Sequence, residues 1–447
     1  MAEGKVAYLF GSNEEIEVTR QAERTARRIQ WSSDPCGLLA CPHYAILASI
    51  TMNIKKALVC LVFTLFFVAT SGVQAASQSN QGTDSRYFVK STSQFWKKSF
   101  QVRNVFDSGF TANLTDWQLK VAKVFGVEVT PVKRLNILAT TVAVKKTTTK
   151  PVIKTPTSQI GWGVKAIYGD TLNDAVPSGG DGIKVAILDT GVLVNHPDLK
   201  DQIIACNDLS GFDSFVEESC EDKNGHGTLV AGVVAGNGGP MGKGIYGVAP
   251  QSGLMIYKVC NNDGTCFTDD VAEAIRQSVD TGANIILLSL GSDSESSLIN
   301  DAISYATEKG VMIIGAAGND GPYKNSIDYP ASNVDVVSVG VVDEILVVPD
   351  WSARGNNEAS TSYERNFGDL ELVGPGVNIE STANNGYYTT SSGASMAAAH
   401  ITGLAAKEWE TYAKKPAQAT RELLHKFSLD ILPSGDDSDS GWGMPQL

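Results

Sequence analysis

Three short segments of this chain carry an acid, an imidazole and a hydroxyl that could act together. Asp189 ends the apolar run 184–189, His226 follows a glycine, and Ser395 opens an Ala-rich stretch. A serine hydroxyl becomes a useful nucleophile when an imidazole takes its proton and a carboxylate fixes the tautomer of that imidazole. The segments therefore predict nucleophilic catalysis, with Ser395 as nucleophile, His226 as base and Asp189 as the group that orients the base.

The elements around these residues predict how they are positioned. KVAILD at 184–189 is typical of a buried parallel strand, which delivers its last residue at the carboxyl edge of a sheet. His226 precedes a run of small and aliphatic residues and is predicted to stand at a helix start. Ser395 begins a helical pattern over 393–415, so its hydroxyl would lie beside free helix amides. Each residue alone has an ordinary alternative as a turn or cap residue.

The flanking motifs carry a family resemblance. They are VAILDTG (185–191), NGHGTLVAG (224–232) and GASMAAAH (393–400), and their order Asp, His, Ser is that of subtilisin. From about Gln159 to the C-terminus the chain resembles the subtilisin-like serine endopeptidases, or subtilases. The resemblance implies a doubly wound α/β domain with a mostly parallel central sheet flanked by helices. It also implies hydrolysis of polypeptide substrates through an acyl-enzyme, with no cofactor required for the chemistry.

Two further strands supply candidate oxyanion and substrate groups. VMIIGAAGND (311–320) predicts a strand ending in Gly-Asn, and the resemblance implies that Asn319 and the Ser395 amide stabilise the oxyanion. The alternative for Asn319 is an ordinary turn. The run 285–292 predicts another strand, whose end lines the cleft in the family and pairs with extended peptide. The substrate-binding residues implied in this way are Ser289, Leu290, Gly291 and Gly318.

Two positions depart from the family pattern. Ala394 stands where a Thr usually precedes the serine, and Ala399 stands where a Pro usually precedes the histidine of that helix. Loss of the Thr hydroxyl motivates an alternative function, a weakened scaffold that binds peptides without cleaving them, although the complete triad argues against it. Ala in place of Pro restores a helix amide and removes a kink, so Ala399 should be tolerated.

Composition limits the partners. The chain has 447 residues, a net charge of −13 and a pI near 4.9. It is longer than one typical domain, so other segments must accompany the predicted catalytic domain at 159–447. The acidic balance argues against nucleic acid and anionic membranes as partners. We expect a soluble, exported enzyme that acts as a monomer on polypeptides.

The segment 52–76 has the features of a secretory signal peptide. It has a Lys-containing start, a nearly unbroken apolar stretch of 13 residues at 57–69, and a small-x-small pattern at 73–75. We interpret residues 1–51 as an upstream extension that the working protein lacks. The alternative is a membrane-tethered enzyme with an uncleaved anchor, but the apolar stretch is short against the ~20 residues that a span needs.

Residues 77–147 have a pattern of their own. Strands are predicted near 86–92 and 127–138, with an amphipathic helix at 114–126 between them. In a subtilase this place belongs to an inhibitory propeptide, so the resemblance implies a small α+β propeptide domain that blocks the cleft. The alternative is a small unrelated domain. The segment 148–158 is rich in Thr, Lys and Pro and is predicted to be an exposed linker where maturation cleavage occurs.

Four cysteines remain once the segments expected to be lost are removed. Four allow three pairings. Loop closure favours sequence neighbours, with about 3 kcal/mol for the longer loop and about 2.4 kcal/mol for the shorter. Free buried thiols are the alternative, and no CxxC spacing suggests a metal. The predicted disulfides join Cys206 to Cys220 and Cys260 to Cys266.

Calcium is a possible structural ion. Asp198, in HPDL, matches a position that binds calcium in many subtilases, and the Gly-rich loop 237–244 could offer carbonyl oxygens. The alternative for Asp198 is a helix cap. The acidic segment 435–443 could hold a second ion, although a solvated acidic loop is the favoured interpretation.

Overall fold

The computed structural model describes residues 85–138, 154–172, 175–211, 216–358, 366–431 and 434–447. The strands are β1 (Arg86–Val89), β2 (Val102–Phe106), β3 (Gly109–Asn113), β4 (Val129–Pro131), β5 (Arg134–Ile137), β6 (Lys184–Asp189), β7 (Ile203–Asp208), β8 (Val216–Glu217), β9 (Gly253–Lys258), β10 (Thr265–Phe267), β11 (Ile285–Leu288), β12 (Leu290–Gly291), β13 (Met312–Ala316), β14 (Val336–Val342), β15 (Leu372–Pro375), β16 (Ile379–Thr382), β17 (Tyr388–Ser391), β18 (Ser428–Leu429) and β19 (Met444–Pro445). The helices are α1 (Gln94–Ser99), α2 (Asp116–Val124), α3 (Trp162–Tyr168), α4 (His226–Ala235), α5 (Thr268–Asp280), α6 (Ser297–Glu308), α7 (Ala394–Lys407) and α8 (Pro416–Lys426).

An eight-stranded sheet forms the centre of the larger domain. Its order is β15-β14-β13-β11-β6-β9-β7-β8. Every pairing in it is parallel except that of the edge strand β8, which runs antiparallel to β7. The predicted doubly wound α/β fold with a mostly parallel sheet is confirmed.

The sheet is buried on both faces because helices cover each of them. Val185 and Ile187 of β6 join a core cluster that includes residues of α4 and α7. Ala186 and Leu188 of the same strand join a second cluster with residues of α5 and α6. Successive side chains of a strand point to opposite faces, so an unbroken apolar run such as VAIL needs a helical layer on each side.

The carboxyl ends of three neighbouring strands gather the predicted site segments. β6 ends at Asp189, β11 is followed by Ser289, and β13 leads into Gly318 and Asn319. These strands are adjacent in the order β13-β11-β6 and run parallel. Their ends therefore meet at one edge, where open α/β sheets place ligands.

Residues 85–138, which we call the N-terminal module, form a smaller antiparallel sheet with the order β2-β3-β1-β4. Its helix α2 begins after Thr115, whose hydroxyl accepts a hydrogen bond from the Gln118 amide in a capping box. The last strand of the module, β5, is not part of this sheet. It lies between β10 and β12 in a three-stranded antiparallel sheet. The module is thus α+β in character and reaches the larger domain through β5.

The predicted segments 1–51 and 52–76 and most of the predicted linker lie outside the described residues. Across the ranges that the structure describes, no helix is both long enough and apolar enough to cross a membrane.

Candidate active site

Asp189 and His226 form a buried pair. The Nδ1 atom of His226 lies 2.8 and 2.9 Å from the two carboxylate oxygens of Asp189. Asp189 is fully buried and His226 is 7% exposed. The amide of Thr190 also donates to Asp189 Oδ1, at 2.6 Å. This arrangement fixes the ring so that Nδ1 faces the carboxylate and Nε2 is left to act as the base.

Glycine at position 227 makes the pairing possible. A Cβ on Gly227 would lie 2.2 Å from the carbonyl oxygen of Gly191 and 3.1 Å from Asp189 Oδ1. Helix α4 can therefore begin at His226, directly against the end of β6, only if the next residue has no side chain.

Asp222 is a positioning residue that the sequence did not indicate. Its Oδ1 accepts hydrogen bonds from Thr190 Oγ1 at 2.9 Å and from the amides of Asn224 and Gly225 at 3.0 and 2.7 Å. Its Oδ2 accepts from both the amide and the hydroxyl of Thr228, at 2.9 and 2.6 Å. The buried carboxylate therefore ties the His226 turn to the residue after Asp189. Its only signal in the sequence is an Asp two residues before Asn-Gly-His, a pattern that an ordinary loop acid would share.

Lys258 is a second residue that sequence analysis missed. It ends β9 beside Asp189, and its Nζ donates to the carbonyl oxygens of Thr190 and Cys260 at 2.6 and 3.1 Å. The ammonium is buried, and this burial lowers its pKa. Its hydrogen bonds hold two backbone segments that flank the acid.

Ser395 and Asn319 converge on one carbonyl oxygen. The hydroxyl of Ser395 donates to Leu138 O at 2.9 Å, and Asn319 Nδ2 donates to the same atom at 3.0 Å. The Asn319 Oδ1 atom accepts from the amide of Ala394 at 3.0 Å. Ser395 lies in the first turn of α7, where helix amides have no intrahelical acceptor. Leu138 O thus sits where donors for an oxyanion are available.

The structure does not join Ser395 to His226 by a hydrogen bond. The Ser395 hydroxyl is directed at Leu138 O and, at 3.3 Å, at Ser289 O. In the part of the chain that the structure describes, His226 Nε2 is buried without a hydrogen-bond partner. A buried acceptor atom is therefore available in the imidazole for a proton.

β5 lies in the cleft as an extended peptide. Ile137 pairs with Leu290, and Asn136 pairs with Gly291, in antiparallel register. The Leu138 amide donates to Ser289 O at 3.2 Å. The opposite edge of β5 pairs with β10. Three of the four residues expected to bind substrate therefore contact this strand directly.

The fourth, Gly318, lies against Asp328, the acid that also lies against Gly291. Gly318 has a φ of +116°, and a Cβ there would lie 2.8 Å from Asp328 Oδ2. A Cβ on Gly291 would lie 3.0 Å from Leu138 Cδ1 and 2.7 Å from the Cβ of Asp328. Both glycines therefore lie against the same buried acid, and Gly291 also lies against the side chain whose carbonyl faces Ser395.

Asp198 lies away from this cleft, against the Gly-rich loop. Its Oδ2 accepts from the Ile245 amide at 2.8 Å and from the Tyr388 hydroxyl at 3.0 Å. Its Oδ1 is buried and has no hydrogen-bond partner among the described residues. A Cβ on Gly239 or Gly244 would lie 2.3 Å from Asp198 Oδ1, so the glycines of the loop admit close approach of backbone to this oxygen.

The acidic segment 435–443 differs from the expected solvated loop. Asp436 and Asp437 are buried. Asp437 Oδ1 accepts from the amides of Asp439 and Ser440 at 2.7 and 2.9 Å, and Asp436 Oδ1 accepts from Asn357 Nδ2 at 2.6 Å. The expectation was wrong because these carboxylates close a turn that packs onto the domain.

Both predicted disulfides are present in the structure. Cys206 is joined to Cys220 with an S–S distance of 2.03 Å, and Cys260 is joined to Cys266 with an S–S distance of 1.98 Å. Cys266 of the second pair is the central residue of β10, the strand that pairs with β5.

Comparisons with known proteins agree with this geometry. The model of the subtilase family matches residues 180–443. Over 299 residues the chain is 44% identical to a subtilisin of Bacillus sp. (strain TA39), which covers 63% of this chain and 71% of that protein. It is 36% identical over 260 residues to the major intracellular serine protease of Bacillus subtilis (strain 168), covering 57% and 77%. The solved S41 psychrophilic protease superposes with a TM-score of 0.62 at 43% identity, over 65% of this chain and 99% of that one.

Proposed function

The chain belongs to the subtilase family and is a serine-type endopeptidase, and on this premise we propose that Asp189, His226 and Ser395 form its catalytic triad. The observation that carries the proposal is the convergence of Ser395 Oγ and Asn319 Nδ2 on Leu138 O, at the edge of the sheet where β6 also ends at the buried pair of Asp189 and His226. Members of this family need no cofactor for the reaction.

In the proposed reaction the Ser395 hydroxyl turns from the substrate oxygen toward His226 Nε2 and attacks the carbonyl carbon. The proton moves to Nε2, and Asp189 stabilises the imidazolium. The oxyanion of the tetrahedral intermediate accepts hydrogen bonds from Asn319 Nδ2 and the Ser395 amide. When the tetrahedral intermediate collapses, the C–N bond of the substrate breaks, and the imidazolium gives its proton to the leaving amine. Water then hydrolyses the acyl-enzyme with the same base and donors.

Ala394 supports this chemistry through its backbone. Its amide donates to Asn319 Oδ1, and this contact leaves Asn319 Nδ2 facing the cleft. Its methyl side chain offers no third donor to the oxyanion. We therefore favour an active peptidase with two donors over the weakened peptide-binding scaffold.

A fluorophosphonate probe tests the triad. Ser395 of the mature enzyme should be labelled, and labelling should disappear in Ser395→Ala and in His226→Ala. Labelling of another residue that survives Ser395→Ala would refute the assignment. Ser434→Ala, which removes a serine hydroxyl outside the proposed site, is the control and should be labelled normally.

We propose further that the N-terminal module is the inhibitory propeptide of this enzyme. Its strand β5 occupies the cleft in substrate register, and its last described residue presents a carbonyl to Ser395. This observation favours cleavage of the bond between Leu138 and Ala139 over cleavage within 148–158. Thr157, which belongs to 148–158, supports the same choice of bond. Its amide donates to both carboxylate oxygens of Glu380, at 3.0 and 3.1 Å, and these contacts lie outside the cleft.

A buried ionic contact supports the inhibitory role. Arg86 Nη1 lies 3.1 Å from Asp269 Oδ1 and 2.7 Å from Asp270 Oδ2. Arg103 Nη2 lies 2.9 Å from Asp270 Oδ1, and Thr111 Oγ1 donates to Asp269 Oδ2 at 2.7 Å. The two acids lie in the first turn of α5, and burial is the main cause that raises the pKa of Asp270 to about 7. The module thus supplies two guanidinium groups to an acidic pair of the catalytic domain.

Many subtilases bind structural calcium, and we propose that Asp198 binds such an ion here. The support is Asp198 Oδ1, a buried carboxylate oxygen without a protein donor, next to a glycine loop that allows backbone carbonyls to approach. The ion would stabilise the loop 237–244 and would take no part in the reaction.

We also propose that the enzyme is exported. Two disulfides are typical of an oxidising compartment, and the segment 52–76 has the pattern of a signal peptide. Fractionation separates this proposal from the membrane-tethered alternative, because the exported enzyme should appear in the medium without residues 52–76.

A further inference from the structure

The position of Leu138 identifies the pocket that receives the residue before the scissile bond. Its carbonyl oxygen is held by Ser395 and Asn319, and its side chain approaches the face of Gly291. Gly291 and Gly318 have no side chains, so the pocket extends past them to the residue behind, Asp328. An acid therefore forms part of the wall of this pocket.

Asp328 is buried and its charge is not matched by the protein. The residue is only 4% exposed. Its amide donates to Ala317 O at 2.8 Å and its carbonyl accepts from the Ser332 amide at 3.0 Å, so its backbone is held on both sides. Within the described ranges, its carboxylate makes no hydrogen bond and no ion pair. Ionising the carboxylate of a residue that is only 4% exposed and that has no donor among the described residues is costly, which is a reason to look for a ligand that supplies a donor.

Two more carboxylates lie close to Asp328. Carboxylate oxygens of Asp293, Asp320 and Asp328 all lie within 4.8 Å of one another, and the first two residues are exposed. Asp293 follows the cleft strand β12 by two residues, and Asp320 follows the oxyanion residue Asn319. We call these three residues the acidic pocket. Burial, with smaller contributions from Asp320 and Asp293, raises the pKa of Asp328 to about 7.

We propose that the acidic pocket makes this enzyme prefer Lys or Arg immediately before the scissile bond. The proposal rests on the proposed triad, because Ser395 defines which side chain enters the pocket. A long basic side chain passes between the two glycines and places its cationic group against Asp328, with Asp320 and Asp293 adding negative potential. It supplies the charge and the hydrogen-bond donors that the buried carboxylate lacks.

Leu138 fits the same pocket but leaves the acid unmatched. Cleavage of the chain's own strand is intramolecular and occurs once, so a high effective concentration replaces specific recognition. A free substrate has no such advantage. Preference for a basic residue should therefore appear in turnover of peptides, although the propeptide itself carries Leu.

The test compares matched peptides that differ only before the cleaved bond. The mature enzyme is given tetrapeptide p-nitroanilides ending in Arg, citrulline, Lys, norleucine or Leu, in buffer with EDTA and in buffer with calcium. Citrulline and norleucine keep the length of Arg and Lys without the charge. We expect kcat/KM for Arg and for Lys to exceed that of the neutral analogue by about 10- to 100-fold.

Variants assign the effect to the acidic pocket. Asp328→Asn keeps the shape and should remove most of the ratio between Arg and citrulline, whereas Asp301→Asn, which changes an exposed acid on α6, should keep it. Equal rates for Arg and citrulline in the wild-type enzyme would overturn the proposal while hydrolysis of the Leu peptide still supports the triad. Absence of hydrolysis of every peptide would instead count against the triad. Loss of a calcium effect in Asp328→Asn with an unchanged ratio would assign the cluster to a cation and overturn the proposal.

Discussion

Asn319 accepts a hydrogen bond from the amide of Ala394 through Oδ1, at 3.0 Å. An amide side chain whose oxygen is engaged in this way must direct its NH2 group elsewhere, and here that group donates to Leu138 O. Ala394 therefore orients Asn319, the proposed oxyanion donor, through its backbone amide, and this contact does not depend on a Thr side chain at position 394.

Replacing Asn319 tests its role as a donor. Asn319→Ala should lower kcat by about 10²- to 10³-fold with little change in KM, the loss expected for one oxyanion-hole donor, for which subtilisin itself is the reference case. Steady-state kinetics on a peptide p-nitroanilide measure both constants. A rise in KM at constant kcat would mean that Asn319 contributes equally to binding of the substrate and of the transition state, and would contradict its role as an oxyanion donor.

The sheet and the segments that carry the proposed triad were predictable because each depends on local sequence. Asp189 ends an apolar run, and His226 and Ser395 begin helical patterns with glycine in front of them. Asp222 and Lys258 were not predictable, since an acid in a loop and a basic strand end acquire their roles only when distant backbone groups meet them. Recognising these two residues required the tertiary contacts.

The proposed position of the maturation cut illustrates the same limit. The Thr, Lys and Pro content of 148–158 indicates exposure, and exposure suggested cleavage. The register of β5 in the cleft depends on pairing with β10 and β12, which lie more than a hundred residues away in sequence. A four-residue strand such as RLNI carries too weak a pattern to specify that pairing. The sequence also did not indicate a role for Asp328, because Asp328 lies against Gly291 and Gly318 only in the folded chain.

Removing Arg86 and Arg103 should weaken inhibition by the propeptide. Together the two substitutions leave Asp269 and Asp270 buried without a guanidinium partner, and losing one member of a buried ion pair costs about 3–5 kcal/mol. Freshly processed enzyme carrying Arg86→Ala and Arg103→Ala should regain activity on dilution at concentrations at least a hundredfold higher than wild type does. Lys90→Ala is the control, because its pair with Glu128 is exposed. Equal recovery of all three proteins would contradict the ionic contact.

Calcium should stabilise the enzyme through Asp198. Calcium at about 100 times its Kd adds about 2.7 kcal/mol to the free energy of unfolding of a protein that binds one ion. Thermal unfolding of the inhibited enzyme should therefore show a higher Tm with calcium than with EDTA. Asp198→Asn should lose that difference, whereas Asp201→Asn, on the exposed side of the same segment, should retain it. An undiminished calcium effect in Asp198→Asn would place the ion elsewhere.

The preference for a basic residue should depend on pH. The pKa of Asp328 is raised to about 7, so the carboxylate is neutral below that pH and charged above it. The ratio of kcat/KM for Arg to that for citrulline should therefore rise as pH increases through about 7. Both substrates use the same proposed triad, so a change in the chemical step that is common to both cancels in the ratio. A ratio that stays constant from pH 5 to pH 9, or that keeps its pH dependence in Asp328→Asn, would contradict this role.

Self-processing of the precursor tests the central claim most directly. The wild-type precursor and its Ser395→Ala variant, both beginning near Ala76, are expressed without other proteases, and the released fragment is measured by mass spectrometry. The wild type should release a fragment ending at Leu138, at a rate that does not depend on protein concentration because the cut is intramolecular. The Ser395→Ala precursor should fold with the same circular dichroism spectrum and remain uncut. A wild-type fragment that ends within 148–158, or a Ser395→Ala precursor cut at the same bond and rate, would contradict the account.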